Sequence, residues 1–268
     1  MPEGHSLLRA ARQWNTIAGV PLAISSPQGR FSLEANQIDG LVLKEAKAHG
    51  KHLFLHFDET HIIHIHLGLY GKMYMRSANP PAPIGAVRLR ASGTLGTIDL
   101  NGPTACELLT QTEVDALIAR LGPDPLKLSL PPDDFLERVS LSSTAVGKFL
   151  MEQEKIAGIG NFYRAELLFF RGISPYRSVK EVSRDEWIEL WSLTHRLMLL
   201  GSKLETYTRS IAPGWERPIT VKESLVIPEN RTAYVYKCEG IPCLGCGNTI
   251  EAEPYFGRVL YQCRTCQV

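Results

Sequence analysis

The cysteines near the carboxyl end of the chain have the spacing of a metal site. Four of the six lie beyond residue 242, in the order Cys243-x2-Cys246-x16-Cys263-x2-Cys266. Paired C-x2-C turns at this separation are typical of zinc sites, because each turn directs two thiolates toward one tetrahedral ion. Four thiolates complete the coordination shell, so the pattern predicts a structural zinc ion with no open catalytic position.

Disulfide bonds are the alternative for these cysteines, although they are rare in a cytosolic chain. Cys238, five residues upstream of Cys243, is a further candidate ligand. Cys238 and Cys106 also fit a second interpretation, that of small buried apolar residues without a chemical role.

Two other features have the residue types of a phosphate-binding surface. Arg258 precedes Cys263 by five residues, and a hairpin fixed by a metal would present its guanidinium rigidly to a phosphate. Gly158 and Gly160 allow close approach of the backbone, and Asn161 follows them at the start of an apolar helix, where free N–H groups favour anions. The alternatives are a solvated surface arginine and an ordinary Asn161 helix cap.

The amino terminus carries a possible nucleophile. Pro2 follows the initiator methionine, and removal of Met1 would expose a secondary amine. An α-amine titrates near pH 8, against about 10.4 for lysine, so part of it is neutral near pH 7. Glu3 is placed to move protons. A terminus without chemical function fits the composition equally well, and with Met1 retained the Pro2 nitrogen is an amide that cannot attack.

Three histidines lie along one predicted strand: His61, His64 and His66. Residues two positions apart on a strand, such as His64 and His66, share a face, which would suit a metal site. Packing on the sheet is the other interpretation.

The pattern of apolar residues predicts an α+β protein. An apolar stripe at helical spacing predicts an opening helix over about 4–18, and short alternating strands after it predict a β-sandwich domain ending near residue 115. Helical patterns follow, one of them opening on Ser183 with Glu186 as a capping box. The expected domains are therefore 1–115, a helical region 116–233 whose mobile loop spans 207–233, and a hairpin segment 234–268 with the cysteines.

Composition and charge exclude several classes of protein. Hydrophobic residues make up 44% and charged residues 21%, which excludes wholesale disorder. No apolar run is long enough to span a membrane, and no secretory signal opens the chain, so we expect a cytoplasmic protein. A net charge of +1 and a pI near 7.7 mean that nucleic-acid binding would need a segregated basic face.

Several segments occurring in one order resemble the bacterial formamidopyrimidine-DNA glycosylase and endonuclease VIII family across nearly the whole chain. They are MPEG at 1–4, GKHLFLHF at 50–57, HLGLYG at 66–71, LGPDPL at 121–126, AGIGNFYRAELLFFRGISP at 157–175 and the four cysteines. The resemblance implies an N-terminal β-sandwich with an opening helix, a helix–two-turn–helix domain and a zinc-ribbon hairpin. It also implies a monomeric, nucleoid-associated bacterial enzyme that acts on damaged DNA.

The resemblance assigns roles to individual residues. Pro2 matches the nucleophile that forms a Schiff base with C1′ of a flipped-out nucleotide, Glu3 the proton-shuttling acid, and Lys51 the lysine that reaches the phosphate and sugar around the lesion. β- and δ-elimination then cut the strand. Two further sets of residues match DNA contacts: the phosphate-gripping pair Asn161 and Arg258, and the intercalating Leu69 and Tyr70.

The opening Pro2-Glu3-Gly4 and the segment Tyr163-Arg164-Ala165-Glu166 resemble the endonuclease VIII branch, so oxidised pyrimidines are favoured over 8-oxoguanine. His5-Ser6 departs from the Pro-Glu that is common there, which removes a second carboxylate near the nucleophile. A non-catalytic sensor of lesions or abasic sites, using the same DNA clamp, is the alternative function. Pro2, Glu3 and Lys51 favour the enzyme.

Overall fold

A computed structural model describes residues 2–204 and 231–268. Within these ranges the chain is an α+β protein that divides into two compact units, residues 1–120 and 121–268. Each unit has its own hydrophobic core.

The first unit contains eight strands and three helices in its described part. Its helices are α1 (Gly4–Asn15), α2 (Ser32–Ile38) and α3 (Gln111–Ile118), and its strands are β1 (Ala23–Ser25), β2 (Glu45–His49), β3 (His52–His56), β4 (Ile62–His66), β5 (Lys72–Arg76), β6 (Val87–Gly93), β7 (Gly96–Asn101) and β8 (Ala105–Leu109). The strands form two antiparallel sheets, with the orders β1-β6-β7-β5 and β2-β3-β4-β8.

Alternation of apolar side chains explains why the two sheets pack as a sandwich. Leu53 and Leu55 of β3 pair with Ile65 and Ile63 of β4, and all four point into one core that also takes residues from β6, β7 and α1. Successive side chains of a strand face opposite sides. The polar residues between them, histidines above all, therefore lie on the outer face of this sheet.

Local signals in the sequence predicted some elements better than others. The opening helix exists, and its Leu7, Ala11 and Trp14 are buried as predicted. The sequence also predicts a helix capped by Thr112, but the cap of α3 is Thr110, whose side chain accepts from Glu113 N. Short elements such as β1 and α2 carry no clear period and were not predicted.

The second unit is helical and ends in a hairpin. Its elements are α4 (Asp133–Leu141), α5 (Val146–Phe149), α6 (Asn161–Arg171), a 3-10 helix (Val179–Glu181), α7 (Arg184–Lys203), β9 (Glu251–Tyr255) and β10 (Arg258–Gln262). The Ser183–Glu186 capping box of α7 is confirmed. The apolar pattern also predicts one long helix over STAVGKFLMEQEKIAG. This prediction is wrong beyond the short α5, because turns follow Phe149.

One core joins the helices to the cysteine-bearing segment. Ala233, Tyr234 and Val235 are buried together with residues of α6 and α7. The fully buried Glu166 of α6 accepts hydrogen bonds from the backbone N–H groups of Tyr234, Val235 and Tyr236, at 2.8–2.9 Å. Burial raises the pKa of Glu166, while these N–H groups oppose that rise. The carboxyl group thus attaches the final segment to α6.

The expected loop 207–233 lies outside the described residues as far as residue 230. The predicted domain boundaries at 115 and 233 stay predictions. Within the described ranges, no helix combines the length and the apolar character that crossing a membrane requires.

Candidate functional sites

The start of α1 places the predicted nucleophile and acid next to each other. Glu3 is the residue before the helix and is fully buried. Its carbonyl oxygen accepts from Ser6 N at 2.8 Å, which fixes the backbone where the chain enters the helix. Pro2 is half-exposed. A buried carboxyl group therefore adjoins the half-exposed Pro2.

His5 also belongs to this end of α1. It is buried, and its Nε2 lies 3.0 Å from Ser6 Oγ. Its pKa is lowered to about 3, first because burial disfavours the imidazolium and then because the positive Arg9 is close. His5 is therefore uncharged near pH 7 and adds no positive charge near Pro2.

Lys51 lies in the turn between β2 and β3. His49 pairs with His52 at the end of the ladder, which leaves Gly50 and Lys51 as a two-residue connection. Gly50 has a φ of 54°, a conformation that tight hairpin turns require and that glycine adopts without strain. The lysine is thus carried at a defined point on the end of two strands.

One of the three histidines, His64, forms part of a hydrogen-bonded chain on the outer face of the sheet. His64 Nδ1 lies 2.8 Å from Glu107 Oε1, and His64 Nε2 lies 2.8 Å from His52 Nδ1. His61 is separate from them, because it bonds Asp58 in the β3–β4 turn. The interpretation as sheet-packing histidines describes His64 best, since Glu107 and His52 take up both of its ring nitrogens.

The predicted intercalating residues lie between β4 and β5. Tyr70 is 82% exposed and Leu69 is 44% exposed, although both are large and apolar. Gly68 has a φ of 62°, and a Cβ there would lie 1.8 Å from Thr104 Oγ1. Only glycine fits at that position. The loop so shaped leaves two apolar side chains in solvent, as an inserting wedge requires.

The second unit joins Asn161 to the strand that carries Arg258. α6 begins at Asn161, with Gly160 as its cap residue, so the alternative of Asn161 as the helix cap is wrong. The side chain of Asn161 is buried; its Nδ2 donates to the carbonyl oxygen of Val259 at 2.9 Å. Its Oδ1 accepts from Arg164. Arg258 is exposed, one residue before Val259.

Arg164 is a residue that the sequence analysis did not assign to the site. It is fully buried within α6, and its guanidinium donates to the Val259 carbonyl oxygen at 3.1 Å. Its Cζ lies 5.4 Å from the centre of the Tyr255 ring. The arginine in the mostly apolar NFYRAELLFF was the available signal, because a buried cation needs partners.

The four predicted cysteines converge and form a site that can hold a metal ion. Their sulfur atoms all lie within 4.8 Å of one another, with Cys243 and Cys266 at 3.8 Å and Cys246 and Cys263 at 3.4 Å. A tetrahedral thiolate site with Zn–S bonds of about 2.3 Å has sulfur separations of about 3.8 Å. A disulfide would need about 2.05 Å, so the disulfide alternative is wrong. Cys238 is not part of this group.

The candidate residues are thus divided between the two units. The first holds Pro2, Glu3, Lys51, Leu69 and Tyr70, and the second holds Asn161, Arg258 and the cysteines.

Comparison with known protein families matches both units. Residues 1–102 match the sequence model of the formamidopyrimidine-DNA glycosylase N-terminal domain. Residues 121–211 match that of the formamidopyrimidine-DNA glycosylase H2TH domain.

Individual relatives cover the whole chain. The chain is 39% identical over 273 residues to Endonuclease 8 1 of Mycobacterium tuberculosis, covering 100% of both proteins. It is 27% identical over 277 residues to the formamidopyrimidine-DNA glycosylase of Syntrophotalea carbinolica, covering 100% and 98%. Its fold is similar to that of the Lactococcus lactis formamidopyrimidine-DNA glycosylase bound non-covalently to DNA with an abasic site, with a TM-score of 0.78 at 20% identity over 99% of each chain.

Proposed function

The chain belongs to the formamidopyrimidine-DNA glycosylase and endonuclease 8 family, whose members are DNA glycosylases with abasic-site lyase activity in base excision repair, and we propose that it removes oxidised pyrimidines through a Schiff base on Pro2. The observation that carries this proposal is the fully buried Glu3 directly after an accessible Pro2 at the start of α1. A buried acid beside an amine is the pair that covalent base excision needs.

The Pro2 nitrogen becomes the nucleophile once Met1 has been removed. Its lone pair forms a bond to C1′ of the damaged nucleotide while the bond from C1′ to the base breaks, and the base leaves with that electron pair and takes up a proton. Loss of the amine proton and protonation of O4′ open the sugar and leave an iminium ion. The C2′ proton is then acidic; its loss breaks the C3′–O bond, a second elimination breaks the C5′–O bond, and water releases the enzyme.

Glu3 supplies protons in this sequence. The departing base and the opening sugar oxygen both need a proton, and a carboxyl group fixed next to the amine can deliver it. Its burial excludes bulk water from the transfer.

Lys51 acts on the phosphate and sugar of the same nucleotide. α1 packs against β2 and β3, and Asn15 at its far end bonds both the N–H and the carbonyl oxygen of Ala46, at 2.7 and 3.0 Å. Because α1 packs on the two strands that flank the Lys51 turn, the structure supports a shared substrate for Glu3 and Lys51.

The remaining candidates hold the DNA. Arg258 binds a phosphate, and Asn161 acts with it through the Val259 carbonyl oxygen. Leu69 and Tyr70 fill the space that a flipped-out nucleotide leaves; their exposure supports this role. The metal at the four cysteines is a structural zinc ion, which holds the hairpin of β9 and β10 and therefore Arg258.

The substrate preference rests on the branch of the family. The chain is more similar to the mycobacterial protein named Endonuclease 8 1 than to the glycosylase named for formamidopyrimidine, at 39% against 27% identity. The opening Pro2-Glu3-Gly4 favours the same branch. We therefore place oxidised pyrimidines ahead of oxidised purines as substrates. We also propose that the protein acts as a monomer.

A trapping experiment tests the proposal. Purified protein without Met1 is mixed with duplexes that contain one thymine glycol, one dihydrouracil, one 8-oxoguanine or one abasic site, in the presence of borohydride. We expect a covalent adduct at the abasic site and faster adduct formation at the pyrimidine lesions than at 8-oxoguanine. Binding without any adduct would instead indicate the non-catalytic sensor. Faster trapping at 8-oxoguanine would overturn the substrate preference.

A further inference from the structure

Three side chains form a continuous hydrogen-bonded chain across three neighbouring strands. Glu107 of β8 pairs with His64 of β4 in the sheet register, and their side chains meet at 2.8 Å. His64 then contacts His52 of β3 at 2.8 Å. His52 is the first residue of β3 and directly follows Lys51, so the chain ends at the turn that carries the lysine.

With Glu107 ionised and His64 neutral, the order of donors and acceptors determines the tautomer of both rings. An ionised Glu107 only accepts, so Nδ1 of His64 carries the hydrogen of that bond. Nε2 of a neutral His64 is then an acceptor, and Nδ1 of His52 must donate to it. It follows that the unprotonated nitrogen of His52 is Nε2. The Glu107 carboxylate therefore determines which ring nitrogen of His52 can accept a hydrogen bond.

The surroundings keep His52 neutral. Its pKa is lowered to about 3, first by burial and then by repulsion from His64, His66, His49 and Lys51. These are groups from β4, from the end of β2 and from the turn. Burial also lowers the pKa of His66. The other ionisable groups on this face are Glu107, next to His64, Lys47, whose cross-strand partner is Phe54, and the cross-strand pair Glu45 and His56.

We propose that Glu107, His64 and His52 are positioning residues for Lys51, holding its turn in one geometry and keeping an uncharged hydrogen-bond acceptor beside it. The proposal rests on the proposed function, because it assumes that Lys51 acts on the substrate. A two-residue turn transmits the orientation of its flanking residues directly, since His49 and His52 close the ladder on either side. The stacked rings of His52 and His64, 5.1 Å apart, leave little freedom there.

Removing the carboxylate is the first test. Glu107→Ala leaves His64 Nδ1 without its acceptor. We expect trapping at the pyrimidine lesion to slow by about tenfold under single-turnover conditions, the lower end of the loss known for removing the partner that orients a metal-bound histidine. DNA affinity should change little. Glu107→Gln should recover most of the rate, because its amide oxygen still accepts from His64.

Two further measurements separate positioning from a general loss of structure. Ring nitrogen NMR shifts should show His52 protonated on Nδ1 in the wild type and in a mixture of tautomers in Glu107→Ala. In His64→Ala the pKa of His52 should return toward its ordinary range, because burial and one repelling neighbour are both reduced. At a pH below about 6 a cationic His52 should form beside Lys51, so the trapping rate of that variant should decrease there. His61→Ala, which removes a histidine outside the hydrogen-bonded chain, is the matched control.

The Lys51→Ala variant makes failure of the two proposals distinguishable. If Lys51→Ala traps DNA at the wild-type rate, the role of Lys51 in the proposed function is wrong. If Lys51→Ala is slow while Glu107→Ala and His64→Ala keep the wild-type rate and pH profile, only the positioning proposal is overturned. A double variant of Glu107 and His64 no slower than His64→Ala alone supports one continuous chain. Additive losses would contradict it.

Discussion

The side-chain amide of Asn161 donates a hydrogen bond to the carbonyl oxygen of Val259, 2.9 Å away, although the two residues are 98 positions apart in the chain. Arg164 donates to the same oxygen. Val259 directly follows Arg258, so the first turn of α6 fixes the backbone of the residue proposed to bind a phosphate. The pair Asn161 and Arg258 is therefore mechanically connected within the second unit.

The salt dependence of DNA affinity can distinguish the contributions of Asn161 and Arg258. Arg258→Ala should weaken binding to damaged and undamaged duplexes alike and reduce the slope of log affinity against log salt by about 0.9, since one phosphate contact is lost. Asn161→Ala should weaken binding by about tenfold, because the Val259 oxygen loses one of its two side-chain donors and Arg164 loses the Asn161 oxygen as an acceptor. Its salt slope should stay closer to that of the wild type. Fluorescence anisotropy across a salt series measures both.

A double variant of Asn161 and Arg258 tests whether Asn161 acts through Arg258. If it does, the combined loss is smaller than the sum of the single losses. An Arg258→Ala variant that changes lesion preference but leaves affinity unchanged would contradict its role as a phosphate contact.

Removal of one cysteine should abolish metal binding at the four-cysteine site. In Cys243→Ser we expect loss of bound zinc and of DNA binding, because closure of a thiolate site is coupled to folding of its hairpin. Metal content by mass spectrometry and duplex affinity measure the two effects. Cys106→Ser, in β8 of the first unit, is the matched control and should keep its zinc. Zinc retained at wild-type stoichiometry in Cys243→Ser would refute the assignment.

Replacement of the acid should separate base removal from strand cleavage. Glu3→Gln is expected to lose most turnover on an intact oxidised pyrimidine, by a factor of about 10² or more, because an amide cannot deliver protons to the departing base. It should keep appreciable cleavage at a preformed abasic site, whose aldehyde condenses with the amine without that help. Product analysis on both substrates gives the comparison. Equal losses on both would show that Glu3 has a different role.

The state of the amino terminus should decide activity altogether. A tag or a retained Met1 makes the Pro2 nitrogen an amide without an available lone pair, so we expect loss of both base removal and cleavage. Pro2→Gly should keep partial activity, because it still ends in an amine. Intact mass together with borohydride trapping checks each preparation. Full activity from an unprocessed protein would move the nucleophile to a lysine, with Lys51 the first candidate.

A buried ion cluster in the first unit predicts how stability depends on pH. Asp99 is fully buried and binds Arg76 and Arg90 at 2.6 Å each. Burial alone would raise its pKa, but hydrogen bonds from Arg90 and Arg76 outweigh it and hold the pKa below the usual range. The unfolded state therefore binds this proton more readily. The stabilisation is present above about pH 4 and is lost as the pH falls toward the folded pKa.

In Asp99→Asn the free energy of unfolding at pH 7 should fall by about 3 kcal/mol, because two partly buried arginines lose their charged partner. The variant should also lack the part of the acid dependence that Asp99 supplies. Urea titrations at pH 7 and below pH 4 test both. The control is Asp133→Asn, an exposed partner of Arg184, which should cost less than about 1 kcal/mol. If Asp99→Asn also cost less than about 1 kcal/mol, the prediction would be contradicted.

Much of this protein was decided by short-range patterns in its sequence. The C-x2-C pairs identified the four cysteines, which the structure brings within 4.8 Å, because the local turn brings each pair of sulfurs together. The apolar alternation of β3 and β4 and the capping box of α7 were equally readable, since each depends on neighbours a few residues apart. The ordered family segments indicated the activity.

Tertiary structure decided the contacts made across long separations. No local pattern joins Glu107 to His64, or Arg164 and Asn161 to Val259, because strand order and the packing of α6 on the hairpin set those pairs. The sequence presented His64 as one of three histidines on a single predicted strand. The fold separates it from His61 by giving one an acceptor on β8 and the other a carboxylate in its own turn. A side chain's chemistry depends on such partners, and only the folded chain supplies them.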